Sequence, residues 1–377
     1  MSRAVSGFID MARWMAALLV TFFHTQNAFV NHADIMSAPH GPLEYVWWFF
    51  AAFPFAHGAV VVFFVLSGFL VGGGLIEKAR AGRPFLRTYV IDRTARIYIV
   101  LVPALALTLV LDAVGRAFFP HPNLADLLTQ ARDPTTFLLN LASLQGVWFA
   151  PFGSNTPLWS LGMEFWYYVA AGLLALIVAP AYARSWRALG GGAALLLLLA
   201  LAAGGSYFLY GFALWSLGAL ARIAPRPVMR ARWVALALWL AVVVVLRLTV
   251  RLPGADLFPA KYLVDTINAA LFANLLLTLR FDASDGFAWA KPGFHRAFAD
   301  FSFTLYAIHM PALAWISGAI ALLLGLTWRE HLATLPHYLV TLATLAALVA
   351  LAYALSRVTE ARTLVVRNWA RRIVPGG

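Results

Sequence analysis

The chain predicts an all-α fold: a polytopic membrane bundle of about ten transmembrane helices in one membrane domain spanning 1–377. Three observations predict it. The 377 residues are 62% hydrophobic and only 12% charged, with mean hydropathy +0.79, whereas a soluble domain carries roughly 25% charge. Apolar stretches of the length a bilayer demands, about 20 residues, recur along the whole chain. The 28 Lys and Arg exceed the 16 Asp and Glu by 12, and they are unevenly distributed between successive spans. There is no cysteine, which excludes disulfides, thiolate catalysis and thiolate metal sites.

The apolar stretches lie near 8–30, 57–77, 97–115, 158–182, 190–204, 206–223, 233–251, 262–280, 299–322 and 336–357. The 190–204 stretch is short and flanked by glycine, and 134–151 reads as an interfacial or re-entrant helix, so nine to eleven spans fit. With the N-terminus inside, 22 of the 28 cations fall on one side: Arg3 and Arg13; Lys78 to Arg96; Arg184 and Arg187; Arg222 to Arg232; Arg280, Lys291 and Arg296; and Arg357 to Arg372. Positive residues concentrate on the cytoplasmic side of membrane proteins. This predicts both termini in the cytoplasm, with a basic C-terminal tail from about 358, and it accounts for the net charge without a nucleic-acid partner. The first span is too long, and too polar in detail, for a cleavable signal.

Ionisable groups inside spans are costly and mark functional candidates. The first span holds Asp10, Arg13 and His24. Arg13 and His24 are eleven residues apart, about three turns, and so share one face about 16 Å apart along the axis. Asp10 is three residues from Arg13 and is placed to pair with it. His24 reads either as a hydrogen-bonded core residue or as a general base.

The fourth span opens NTPLWSLGMEFWYYV, with Thr156 as N-cap and Pro157 at the first helical position. Glu164 lies about 10 Å below that start, and His24 about 9 Å below the end of its own span, so the two are expected at one depth. Ser160 and Glu164, four residues apart, project from one face. In the ninth span Ser302, Tyr306 and His309 fall within about 60° on the helix wheel. Pro311 frees a carbonyl that either bends the helix or accepts a bond. Between the second and third spans Arg87, Arg93 and Arg96 precede apolar sequence, where forked guanidinium groups suit lipid headgroups or a polyphosphate.

Five blocks in order resemble the membrane-bound acyltransferase-3 family: Asp10, Arg13 and His24 in a D-x-x-R and R-x10-H pattern; FFVLSGFL at Phe63 to Leu70; R-x-x-R-I-Y at Arg93 to Tyr98; PLWSLGMEFWYY at Pro157 to Tyr168; and SFTLYAIHMP at Ser302 to Pro311. Val61 and Ile99 depart from the family pattern, which often has an acidic residue and a proline there. The resemblance implies a roughly ten-span fold that moves an acyl group, usually acetyl, from cytosolic acyl-CoA to a hydroxyl of a carbohydrate or glycolipid. It implies that Arg13 and His24 are essential, that Arg93 and Arg96 lie in the donor region and that Glu164 lines the site.

On this reading Arg87, Arg93 and Arg96 bind the CoA phosphates. His24 removes the acceptor proton or carries the acyl group, and Glu164 orients the imidazole. Ser160, Tyr306 and His309 supply hydrogen bonds. No metal is called for, and the setting is a bacterial inner membrane. A transporter or flippase of a polar or lipid-linked substrate is the alternative, because buried charges also line permeation routes.

Overall fold

The computed structural model describes residues 3–31, 41–50, 53–119, 131–204, 206–249, 258–284, 286–287, 289–290, 292–331 and 333–374. Lys291 and the end of the 233–251 stretch lie outside them. Every regular element among the described residues is helical, apart from an isolated bridge between Gln145 and Phe149. Among the described residues, eight helices are long and apolar enough to cross a membrane. The shorter apolar helices Tyr207–Ile223 and Arg232–Val245 coincide with the two remaining predicted stretches.

Helix α1 (Arg3–Phe29) buries Phe8, Ile9, Ala12, Ala16 and Val20. Its intramembrane hydroxyls are satisfied internally: Thr21 and Thr25 donate to the carbonyls four residues earlier, at 2.9 and 2.7 Å. After the short α2 (Pro42–Phe50), α3 (Phe53–Ser67) passes through a π-helical turn, Gly68–Gly73, into α4 (Gly74–Arg80). The glycines there serve contact: a Cβ at Gly68 would run into the Trp215 carbonyl, and one at Gly218 into that of Val65. Two helix backbones therefore touch, as small residues permit in membranes.

Helix α5 (Leu86–Phe118) and the short α6 (Pro134–Leu141) precede α7 (Leu158–Ile177). Helix α6 covers the first part of the 134–151 segment, which was expected to form an interfacial or re-entrant helix. Its N-cap Asp133 accepts from the Thr136 backbone and hydroxyl, and those bonds hold its carboxyl below the usual carboxylate range. Helix α7 starts just past Pro157; Thr156 contributes its backbone carbonyl, to Trp159 N, in place of the expected side-chain cap.

Helices α8 (Arg184–Ala203), α9 (Ser206–Ile223), α10 (Arg232–Thr249), α11 (Phe258–Arg280) and α12 (Pro292–Ala299) follow. Helix α13 (Ser302–Leu324) is nearly continuously buried from Ser302 to Ala314 and packs against α1, α5 and α14 (Leu335–Ser356). Beyond α14 the chain is no free tail. It turns through Glu360–Arg362 into α15 (Thr363–Ile373), which docks on α5.

The carbonyl that Pro311 frees is that of Ala307, and it accepts from Asn155 Nδ2 at 2.9 Å. The segment carrying Asn155 is itself anchored to α5. Asp112 accepts from Ser154 N and Oγ (2.8 and 2.6 Å) and pairs with Arg132 at 3.1 Å. The start of α7 is therefore pinned to a fully buried residue of α13, about one and a half turns past the start of that helix.

Candidate functional site

Two cavities occupy opposite ends of the same helices. At the end where α1 begins, called the lower end here, a cavity of about 810 Å3 is lined by Arg13, Arg93, Arg96, Ser160, Glu164 and Tyr306, six of the nine site residues expected from sequence. Arg357, Arg367, Asp300 and Glu360 also line it, so five arginines face three carboxylates. At the upper end a cavity of about 220 Å3 is lined by His24, Asn27, Ser317 and Arg329 among others.

Arg13 and Arg96 converge on one carboxylate that the sequence did not single out. Glu360 Oε1 stands 2.8 Å from Arg96 Nη2 and 3.8 Å from Arg13 Nη2, while Oε2 accepts from Thr304 N and Oγ1 at 3.1 and 3.2 Å. The expected Asp10–Arg13 ion pair does not form, because the Arg13 side chain reaches across the cavity to Glu360. Arg96 also lies over the Phe303 ring, 5.0 Å from its centroid. Arg93 lies over Tyr168 at 5.8 Å and makes no ion pair with a carboxylate among the described residues.

Arg87 is placed elsewhere. Its guanidinium donates to the backbone carbonyls of Arg371 (2.6 Å) and Val374, so it caps α15 and does not line the cavity.

Glu164 Oε1 accepts from Tyr168 OH at 2.6 Å. A directed chain stands behind that bond: Trp215 Nε1 donates to Ser67 Oγ (3.1 Å), and Ser67 lies 3.1 Å from Tyr168 OH. Tyr168, four residues after Glu164, was within reach of a spacing argument; Ser67 and Trp215 were not.

The common depth expected of Glu164 and His24 is not observed. Ser160 meets Tyr306 at 2.7 Å. Glu164 is four residues below Ser160, and His309, which touches His24, is three residues above Tyr306. At 1.5 Å per residue this separates Glu164 from the His24 level by about 10 Å. Glu164 therefore belongs to the lower cavity and does not orient His24.

The partner of His24 is His309, with ring centroids 5.3 Å apart; His309 in turn lies 5.8 Å from the Tyr306 ring. His309 is fully buried. Its Nδ1 is 2.8 Å from the Tyr306 carbonyl, which can only accept, so Nδ1 carries the proton. Nε2 is then a bare acceptor, and it has no hydrogen-bond partner among the described residues. Tyr306 OH also reaches the Pro157 carbonyl at 3.1 Å. Tyr306, His309 and His24 thus form a wall of three rings, with the lower cavity on the tyrosine side and the upper cavity on the His24 side. No group of three or more His, Asp or Glu able to hold a metal ion occurs among the described residues.

An arginine-rich cavity entering a bundle of apolar helices, with the Ser160 and Tyr306 hydroxyls in its lining, marks an integral membrane protein with a polar interior site. A family model described as an acyltransferase domain matches residues 6–357, nearly the whole chain. The chain belongs to the acyltransferase-3 family and is a membrane acyltransferase, one that transfers groups other than aminoacyl groups. No curated protein and no solved structure matches it.

Proposed function

We propose that the protein is an O-acyltransferase of a bacterial inner membrane, with its lower end in the cytoplasm. It moves an acyl group, acetyl in the simplest case, from acyl-CoA to a hydroxyl of a carbohydrate or glycolipid presented at the upper end. The observation that carries this reading is the pair of cavities meeting at the Tyr306–His309–His24 wall: it gives a charged donor and a hydroxylic acceptor separate entrances and a common boundary.

The CoA phosphates lie against Arg93, Arg96 and Arg357 near the cavity mouth, where guanidinium forks bind phosphate oxygens in pairs. The pantetheine arm runs inward past Arg13, and the thioester reaches Ser160 and Tyr306. Rotation of the His309 or Tyr306 ring opens the short passage to His24. His24 takes the acceptor proton, the acceptor oxygen attacks the thioester carbon, and the C–S bond breaks; the His24 imidazolium returns that proton to the departing thiolate, which leaves as free CoA. His309, whose buried Nε2 lone pair meets no hydrogen-bond donor among the described residues, packs against the His24 ring and fixes its orientation. Ser160 and Tyr306 hydroxyls stabilise the carbonyl oxygen as charge develops on it.

The test is transfer of radiolabelled acetyl from acetyl-CoA to envelope glycans by the purified protein in lipid. A general base contributes about 10² to 10⁴ in rate, so His24→Ala is expected to lose transfer by at least that factor while remaining inserted and still binding CoA. Wild-type transfer by that variant removes His24 from the chemistry.

A further inference from the structure

We propose that α15 is a membrane-surface helix: it lies along the boundary between headgroups and acyl chains of the leaflet at the lower end, and it forms a lipid-supported rim of the lower cavity. The inference rests on the proposed function only for the identity of the cavity's ligand.

The sequence TLVVRNWARRI places Val365, Trp369 and Ile373 within one stripe of the helix, at four-residue intervals. Their side chains are 59%, 62% and 56% exposed. The opposite side is committed to the protein. Arg367 Nε and Arg371 Nη2 both meet Asp92 Oδ1, at 3.0 and 2.7 Å, and Arg87 donates to the last carbonyls of the helix, which lack partners within it. Thr363, Leu364 and Arg367 form part of the cavity lining. One side of α15 is thus cavity wall, and the other is an apolar strip left largely exposed.

What covers that strip follows from its position. Helix α15 begins at Thr363, just after a membrane-spanning helix that ends at Ser356. Other exposed apolar side chains occur on the elements beside it, Val90 on α5, on which α15 docks, and Val358 between α14 and α15. Arg362 and Arg372 flank the strip, exposed and without ion pairs among the described residues. Apolar side chains on one side with arginines at the margins are the pattern of helices that lie in a lipid interface: the rings and branched chains enter the acyl boundary, and guanidinium groups reach headgroup phosphates. The commitment is therefore to the bilayer and not to a soluble partner.

The lack of cysteine makes the test direct. Single variants Val365→Cys, Trp369→Cys and Asn368→Cys in the full chain are spin-labelled and reconstituted in phosphatidylethanolamine–phosphatidylglycerol vesicles, and accessibility to oxygen and to a water-soluble nickel chelate is measured. Labels at 365 and 369 are expected to favour oxygen, and the label at 368, off the strip, to favour nickel. Labels at 365 and 369 that favour nickel overturn the proposal, and so do labels shielded from both reagents, which would mean a protein partner covers the strip. Asp92→Asn, read through the 369 label and through CoA binding, is expected to mobilise the label and weaken CoA binding roughly fivefold, under one tenfold step of affinity. An unchanged label mobility and CoA affinity would mean that α15 is not held to the cavity by Asp92. Immersion is read without catalysis, so its failure is distinct from failure of the acyltransferase mechanism.

Discussion

Arg93→Ala separates the three arginines that sequence grouped together. Arg93 lines the lower cavity, rests on Tyr168 and has no carboxylate to neutralise it among the described residues, so its charge is available to an incoming phosphate. A hydrogen bond to a charged group is worth about 1.5–3 kcal/mol. Arg93 is partly exposed, so the lower third of that range applies, about 1.5–2 kcal/mol, which corresponds to roughly 10- to 30-fold in dissociation constant. The assay is calorimetric titration of the purified protein with CoA at two ionic strengths, alongside acetyl-transfer kinetics. The variant is expected to bind CoA about 10- to 30-fold more weakly, with a shallower salt dependence and an unchanged KM for the acceptor. Arg87→Ala acts only through α15 and should cost less than about fivefold, with the salt dependence intact. Unaltered CoA binding by Arg93→Ala, or equal damage from Arg87→Ala, refutes the assignment of the lower cavity to the donor phosphates.

Glu360→Gln leaves Arg13 and Arg96 facing each other without their shared counter-charge. Removing one member of a buried ion pair typically costs about 3–5 kcal/mol; both arginines are about a quarter exposed, so about 2–4 kcal/mol is expected, read as a thermal midpoint several degrees lower and recovered more strongly by CoA than in the wild type. Gly218→Ala, which drives a methyl group into the Val65 carbonyl at the π-helical turn, should sharply lower the yield of monodisperse protein, whereas Gly192→Ala, where a Cβ meets nothing, should not; size-exclusion profiles decide it.

What the sequence made legible follows from what is local. Each span could be read because apolar length is a property of one segment; Ser160 and Glu164 could be assigned to an interior face, and Arg93 and Arg96 to the edge of a span, because helical spacing is local too. Arg87 has the same local credentials, but its role is set by a helix that returns from residues 284 and 287 positions away. Glu360 sits in a charged stretch that reads as tail, and only the fold brings it between Arg13 and Arg96. The depth estimate for Glu164 counted from the start of its helix, on the assumption that a helix start marks the membrane surface. Asn155 breaks that assumption by fastening the start of α7 to the carbonyl freed at Pro311, well inside the bundle. Pro311 was recognised as freeing an acceptor; the donor, about 150 residues distant, was not recognisable.

The wall of rings also separates the acyltransferase from the transporter that the buried charges first allowed. A carrier exposes one binding site to each side in turn, so its binding groups must be shared by both access routes. Here the chemistry on the two sides differs. The lower cavity is arginine-rich and suits an anion, while the upper offers His24, Asn27, Ser317 and a single arginine in about a quarter of the volume. A ligand fitted to the first has no matching site in the second. On the proposed reading, what crosses is smaller than either substrate: a short acyl group, uncharged and compact, meets that requirement, whereas the proposed CoA donor and glycan acceptor do not. Transfer of a group between two bound molecules, with both carriers remaining on their own sides, is the process to which this asymmetry is suited.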